Sequence, residues 1–206
     1  MSATSALIYT VGMAAVAVNA ASAVLETEDK RMDLVGATIV GLAASLGGGT
    51  LRDMLLGRAV FWLANVDYLV CALCAVAGTF VLARRVRIRP GMFLLPDAVG
   101  LALFTVVGTQ IALANEVHWL PASLLGVITG AFGGMLRDIL VNEVPLVMRP
   151  GTLYVTASWL GALALAGAFH AGQSEAVSAV AGGLVVLLLR LLAIRYGIGV
   201  PTYKSR

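Results

Sequence analysis

Two stretches decide how this chain is read: GGGTLRDMLLG, from Gly47 to Gly57, and FGGMLRDILVN, from Phe132 to Asn142. Gly48, Gly49, Leu51, Arg52, Asp53 and Leu55 recur as Gly133, Gly134, Leu136, Arg137, Asp138 and Leu140 at a constant offset of 85. Six identities in eleven positions, with an Arg-Asp pair set inside apolar sequence, mark an internal duplication. Packing faces of small residues are common in membranes and would account for the glycines alone. They would not account for the repeated Arg-Asp.

Around these segments the 206-residue chain is poor in charge. It has 14 Lys and Arg, 11 Asp and Glu, and 60% apolar residues. An average soluble domain has about 25% charged residues; here the figure is 12%. So few charges cannot cover a soluble surface, which excludes an ordinary cytosolic enzyme, a disordered chain and a secreted disulfide scaffold. A polytopic membrane protein is implied. The net charge of +3 is clustered and does not suggest nucleic acid as a partner.

A bilayer core takes about 20 apolar residues per helix, and lipid tolerates only closed backbone hydrogen bonding. Seven stretches qualify as helices, at about 5–25, 32–57, 66–83, 97–114, 119–141, 153–169 and 176–194. The first lacks the basic n-region of a signal peptide and reads as a retained helix. The expected organisation is one transmembrane domain over 1–206. Repeat 1 covers about 5–83, repeat 2 about 93–169, and a seventh helix lies at about 176–194. Three helices per repeat is an odd number, so the second copy enters from the opposite face, the inverted-repeat plan of many transporters and channels.

Lys and Arg distribution sets orientation. With the N-terminus outside, Lys30, Arg31, Arg84, Arg85, Arg87, Arg89, Arg149, Arg190, Arg195, Lys204 and Arg206 fall on the inner side, and only Arg58 on the outer. Arg190, near the inner end of the last span, is expected to snorkel to the headgroups. The run Arg84 to Arg89 reads as a topology determinant, with anionic-lipid binding as the functional alternative.

Mid-span glycines permit a break or kink. Breaks at Gly47-Gly48-Gly49 and Gly133-Gly134 would expose backbone groups that lipid rejects unless they line a polar cavity. A water-filled path between the second and fifth spans is therefore expected. Arg52 and Arg137 follow one turn later, and an intramembrane Arg marks a cavity or a paired site. Neighbours in sequence point about 100° apart on a helix. Arg52 is accordingly expected to pair with Asp138, and Arg137 with Asp53; the plainer reading is that the pairs only hold the repeats together. Asp97, after Pro96 at a helix start, is expected to be an N-cap, and it could also pair with Arg84 or Arg85. Asn19, Ser22, Ser45, Thr105, Thr109, Gln110 and Thr129 read as interhelical hydrogen bonders.

Catalytic residues and metal ligands are not expected. The only histidines, His118 and His170, fall singly at span ends. Cys71 and Cys74 form a CxxC in apolar sequence without a second pair, and read as apolar space-fillers. No cofactor is implied.

These residues resemble the prokaryotic members of the trimeric intracellular cation (TRIC) channel family over nearly the whole chain. The most specific stretches are Gly47 to Leu63 and Gly133 to Arg149, together with DAVGLALFTVVGT from Asp97. The resemblance implies seven helices as two inverted repeats plus one, a homotrimer in the cell membrane, and a pore in each subunit. That pore would be bordered by the kinked second and fifth spans and pass monovalent cations, K⁺ or Na⁺. Gly47, Gly48, Gly49, Gly133 and Gly134 match the kink positions, whereas Phe132 departs from the triple glycine. Arg52, Asp53, Arg137, Asp138 and Asp97 would be the charged groups beside the pore, and membrane lipids would be possible ligands. The alternative is a secondary transporter of a small zwitterion such as glycine, its carboxylate and ammonium held at broken helix ends.

Overall fold

The structure, a computed structural model, describes residues 3–27, 30, 32–86 and 89–201. The described residues are helical, without strands. The helices are α1 (Ala3–Glu26), α2 (Leu34–Leu55), a single turn α3 (Phe61–Ala64), α4 (Asp67–Ala83), α5 (Leu94–Ala114), α6 (Trp119–Leu140), α7 (Tyr154–His170) and α8 (Glu175–Tyr196). A 3-10 turn at Leu146–Met148 precedes α7. Five helices, α1 from Ala6 together with α2, α5, α6 and α8, are long and apolar enough to cross a membrane. The 17-residue helices α4 and α7 are shorter. At 1.5 Å per residue each still reaches about 25 Å, close to the roughly 30 Å hydrocarbon core. Arg31, Arg87, Lys204 and Arg206, used in reading the orientation, lie outside the described residues.

Local chemistry sets several of the boundaries. Asp33 Oδ1 accepts from Gly36 N at 2.8 Å and caps α2, and Ser174 caps α8. The ends of α2 and α6 are built alike. The N–H groups of Leu56, Gly57 and Arg58 return to the carbonyls of Arg52, Met54 and Asp53; those of Val141, Asn142 and Glu143 return to Arg137, Ile139 and Asp138. Gly57 and Asn142 take the left-handed conformation, with φ of 64° and 57°. Gly and Asn are the residues that accept it at a helix C-terminus. Each atom pair repeats at the offset of 85 seen in the sequence.

The helix α5 is central, packed between α1, α6, α7 and α8, while α2 crosses α6. The outer faces are apolar: Val35, Ile39, Val70, Leu82, Val180 and Leu188 are exposed. Polar side chains turn inward, including Asn19, Ser45, Thr105, Thr109 and Thr129, with Thr105 and Ser158 hydroxyls 2.7 Å apart. This distribution suits a hydrocarbon solvent outside and interhelical hydrogen bonds inside. Cys74 belongs to the outer face rather than the core, and Cys71 is half-buried with Sγ 3.7 Å from the Met13 carbonyl.

The expected helix breaks are absent. α2 runs through Gly47-Gly48-Gly49 and α6 through Gly133-Gly134 as continuous helix. The glycines serve close approach instead. A Cβ on Gly48 would overlap the Thr129 carbonyl of α6, and one on Gly133 would overlap the Ala44 carbonyl of α2. The contacts are reciprocal under the same offset, so the two helices touch backbone to backbone where a path between them was expected. A hydrogen only, in place of a side chain, allows that approach.

Candidate functional site: two buried Arg-Asp centres

Beyond the crossing, each of the two helices carries its Arg-Asp pair inward. In α2, Arg52 is 2% exposed and Asp53 fully buried. Arg52 Nε donates to Asp53 Oδ1 at 2.9 Å, and Asp53 Oδ2 accepts from the backbone N of Phe61 at 2.8 Å. The Phe61 ring lies 5.7 Å from the Arg52 guanidinium carbon, and it reaches this place because Gly49 has no side chain. Arg58, half-exposed, stands 3.7 Å from Asp53 Oδ1.

The α6 pair has the same inner geometry. Arg137 Nε donates to Asp138 Oδ1 at 2.9 Å, and Asp138 Oδ2 accepts from Leu146 N at 2.7 Å. Both Asp side chains thus tie the chain eight residues downstream to the helix end. The expected exchange, Arg52 to Asp138 and Arg137 to Asp53, does not occur. The 100° rule describes where side chains leave the helix; an Arg stem is long enough to bring its guanidinium round to the adjacent carboxylate.

Around Arg137 the resemblance between the centres ends. Its Nη1 donates to Asp97 Oδ1 at 2.8 Å and to Ser22 Oγ at 3.2 Å. Glu26 Oε2, from the end of α1, contacts Arg137 Nε. Tyr154 OH donates to Asp97 Oδ1 at 3.2 Å. Arg190 Nη2 lies 3.5 Å from Asp97 Oδ2, its Nη1 donates to the Thr152 carbonyl, and its guanidinium stands 4.6 Å from the Tyr154 ring centre. Three carboxylates, two guanidiniums and a phenol from α1, α5, α6, α7 and α8 converge in one buried cluster.

Two sequence expectations are corrected here. Asp97 is not an N-cap. α5 starts earlier, at Leu94, so Pro96 and Asp97 fall within its first turn, where a proline's missing N–H costs nothing. Asp97 pairs with Arg137 and Arg190, not with Arg84 or Arg85. Nor does Arg190 snorkel: at 1% exposure it points inward to Asp97. Glu26 and Tyr154 were not singled out by sequence. The available signal was a carboxylate closing an apolar span, and a Tyr in the sequence-expected span that follows Arg149.

Next to Glu26 a cleft of about 220 Å³, lined by Lys30, Arg89, Phe93, Glu143 and Arg149 among others, leads outward. Lys30 Nζ lies 2.6 Å from Glu143 Oε1, and Arg149 Nη2 lies 3.3 Å from its Oε2. The hydrogen bond from Lys30, with the ammonium's charge, holds the Glu143 carboxyl below the usual carboxylate range. Arg84 and Arg85 are outside this arrangement.

Comparison with known proteins places the fold. A family model described as "Glycine transporter" matches the chain twice, over residues 7–84 and 94–171. A UPF0126 membrane protein of Vibrio cholerae is 38% identical over 97% of this chain and 84% of its own length. The UPF0126 inner membrane protein YadS of Escherichia coli K12 is 39% identical over 96% of both chains. Among solved structures, the TRIC trimeric intracellular cation channel orthologue from Rhodobacter sphaeroides superposes with a TM-score of 0.88 at 33% identity, covering 93% of this chain and 99% of that one. A second TRIC cation channel gives 0.84 at 30% identity, covering 96% and 97%.

Proposed function

The chain belongs to the trimeric intracellular cation channel family and its related UPF0126 group, and from that premise we propose that it conducts monovalent cations, K⁺ foremost, through each subunit. The observation that carries the reading is the α2–α6 crossing: reciprocal backbone contact at Gly48 and Gly133, with a buried Arg-Asp centre beyond it on each helix. Two such elements related by one offset make a paired gate. With the helices in contact the path is closed, and ion passage requires the Gly48–Thr129 and Gly133–Ala44 contacts to part. Gly47, Gly49 and Gly134 flank the gate. Asp53, Asp138 and Asp97 offset Arg52 and Arg137, without which a cation would be repelled.

In this reading all seven long helices span the cell membrane, α1–α4 and α5–α7 forming inverted copies, with α8 added. The N-terminus lies outside and the C-terminus in the cytoplasm, which leaves Arg58 on the outer face and Lys30, Arg84, Arg85, Arg89 and Arg149 on the inner. The subunits form a homotrimer in contact with lipid. The TRIC neighbours support a trimeric membrane assembly, and the double match of the family model supports the duplication.

That model's description, a glycine transporter, favours a second reading: alternating exposure of one small zwitterion at the same crossing. Vesicles separate the two. Purified protein in liposomes loaded with KCl should dissipate a K⁺ gradient at a rate that does not saturate with K⁺ in the manner of a carrier. Saturable glycine counterflow without K⁺ flux would replace the channel by the transporter.

A further inference from the structure

The charges of the α6 centre do not balance. Arg137 and Arg190 supply two positive charges; Glu26, Asp97 and Asp138 supply three negative ones, and all five side chains are at least 93% buried. The donors are unevenly divided. Asp138 has Arg137 Nε and the Leu146 amide; Asp97 has Arg137 Nη1 and Tyr154 OH, with Arg190 on its other oxygen. Glu26 Oε2 contacts Arg137 at Nε, whose single hydrogen is given to Asp138, and among the described residues it has no hydrogen-bond partner; nor have Asp97 Oδ2 and, on the donor side, Arg137 Nη2 and Arg190 Nε. An uncompensated charge taken out of water is strongly unfavourable, and a membrane interior does not relieve it.

We propose that this cluster takes up one monovalent cation from water, a proton or an alkali ion, at Glu26. Of the five buried side chains, only that of Glu26 lines the 220 Å³ cleft, so the third positive charge enters and leaves there. Among the described residues, the charged groups facing Glu26 are Asp97 from α5 and Arg137 and Asp138 from α6, with Arg190 of α8 behind Asp97. Lys30, Arg89, Glu143 and Arg149 line the cleft. These four are solvent-accessible and screened within about 8 Å at physiological salt, whereas the buried five are not. The α2 centre needs no such charge, because Arg52 and Asp53 balance one for one. Neither glycine transport nor ion conduction is required for this site to exist, and its test reads stability rather than flux.

Thermal unfolding of the purified protein in detergent is followed from about pH 5 to about pH 9, in KCl or in choline chloride at equal ionic strength. Glu26→Gln is measured beside the wild type. A ligand bound only to the folded state raises the midpoint, here by about 3–5 °C for each tenfold excess over its dissociation constant. A proton site gives a wild-type midpoint that rises as pH falls. An alkali site gives one that rises when K⁺ replaces choline at fixed pH. In either case Glu26→Gln, already balanced, loses that dependence. Equal dependence in wild type and variant, or none in the wild type, overturns the proposal. If Glu26→Gln does not fold, Asp97→Asn removes the same unit of charge and must abolish the dependence as well.

Discussion

The α2 and α6 centres begin from one local design and end in different surroundings. Arg52 is satisfied by the adjacent Asp53 and a covering Phe61 ring, all within the first copy. Arg137 repeats that geometry and then also holds α1 through Ser22 and Glu26 and α5 through Asp97; Arg190 of α8 closes the far side. What the two copies share is what the helix end needs, an Arg-held Asp that captures the downstream amide. What lies across from the Arg was free to diverge. Arg190 lies beyond both segments that the family model matches, so the helix outside the repeats is part of what makes the copies unequal.

The largest effect should come from removing each arginine. Arg137→Gln leaves three carboxylates in a dry site, and loss of one partner of a buried pair already costs about 3–5 kcal/mol; no monodisperse folded protein is expected in detergent. Arg52→Gln leaves Asp53 with the Phe61 amide and Arg58 nearby, so folded protein with a lowered midpoint is expected. Equal losses would erase the distinction between the centres.

The crossing should behave symmetrically where the centres do not. Gly48→Ala and Gly133→Ala each place a methyl against a backbone carbonyl, and overpacking of this kind costs about 1–3 kcal/mol. Their unfolding midpoints should fall by similar amounts; a fall in one alone would mean that the contacts are not equivalent. The smallest effect concerns the tyrosines that follow each centre. Tyr154→Phe loses the hydroxyl bond to Asp97, about 1 kcal/mol. Tyr68→Phe should change stability by less, since the Tyr68 hydroxyl donates no comparable bond among the described residues. A larger loss at Tyr68 would contradict the view that only the second centre recruits its neighbours.

The helices, the repeated segment and the Arg-Asp pairs within it were legible because they are written locally, in apolar runs and at a constant offset. The glycines were legible as special positions, yet their use was not. A break and a close crossing require the same residue, and only the partner helix distinguishes them. Arg190 was misassigned for a related reason: distance from the helix end suits snorkelling, while the carboxylate that holds it lies on α5, far away in sequence. Glu26 and Tyr154 join the cluster through packing of five helices, which leaves no periodic trace.

Gating of a cation path by the α2–α6 crossing is read out by current across a planar bilayer containing the purified protein under a K⁺ gradient. Discrete unitary steps reversing near the K⁺ equilibrium potential are predicted, and they should be absent from Gly48→Leu and Gly133→Leu proteins that still assemble. A silent wild-type bilayer, or undiminished steps in both variants, would contradict the account.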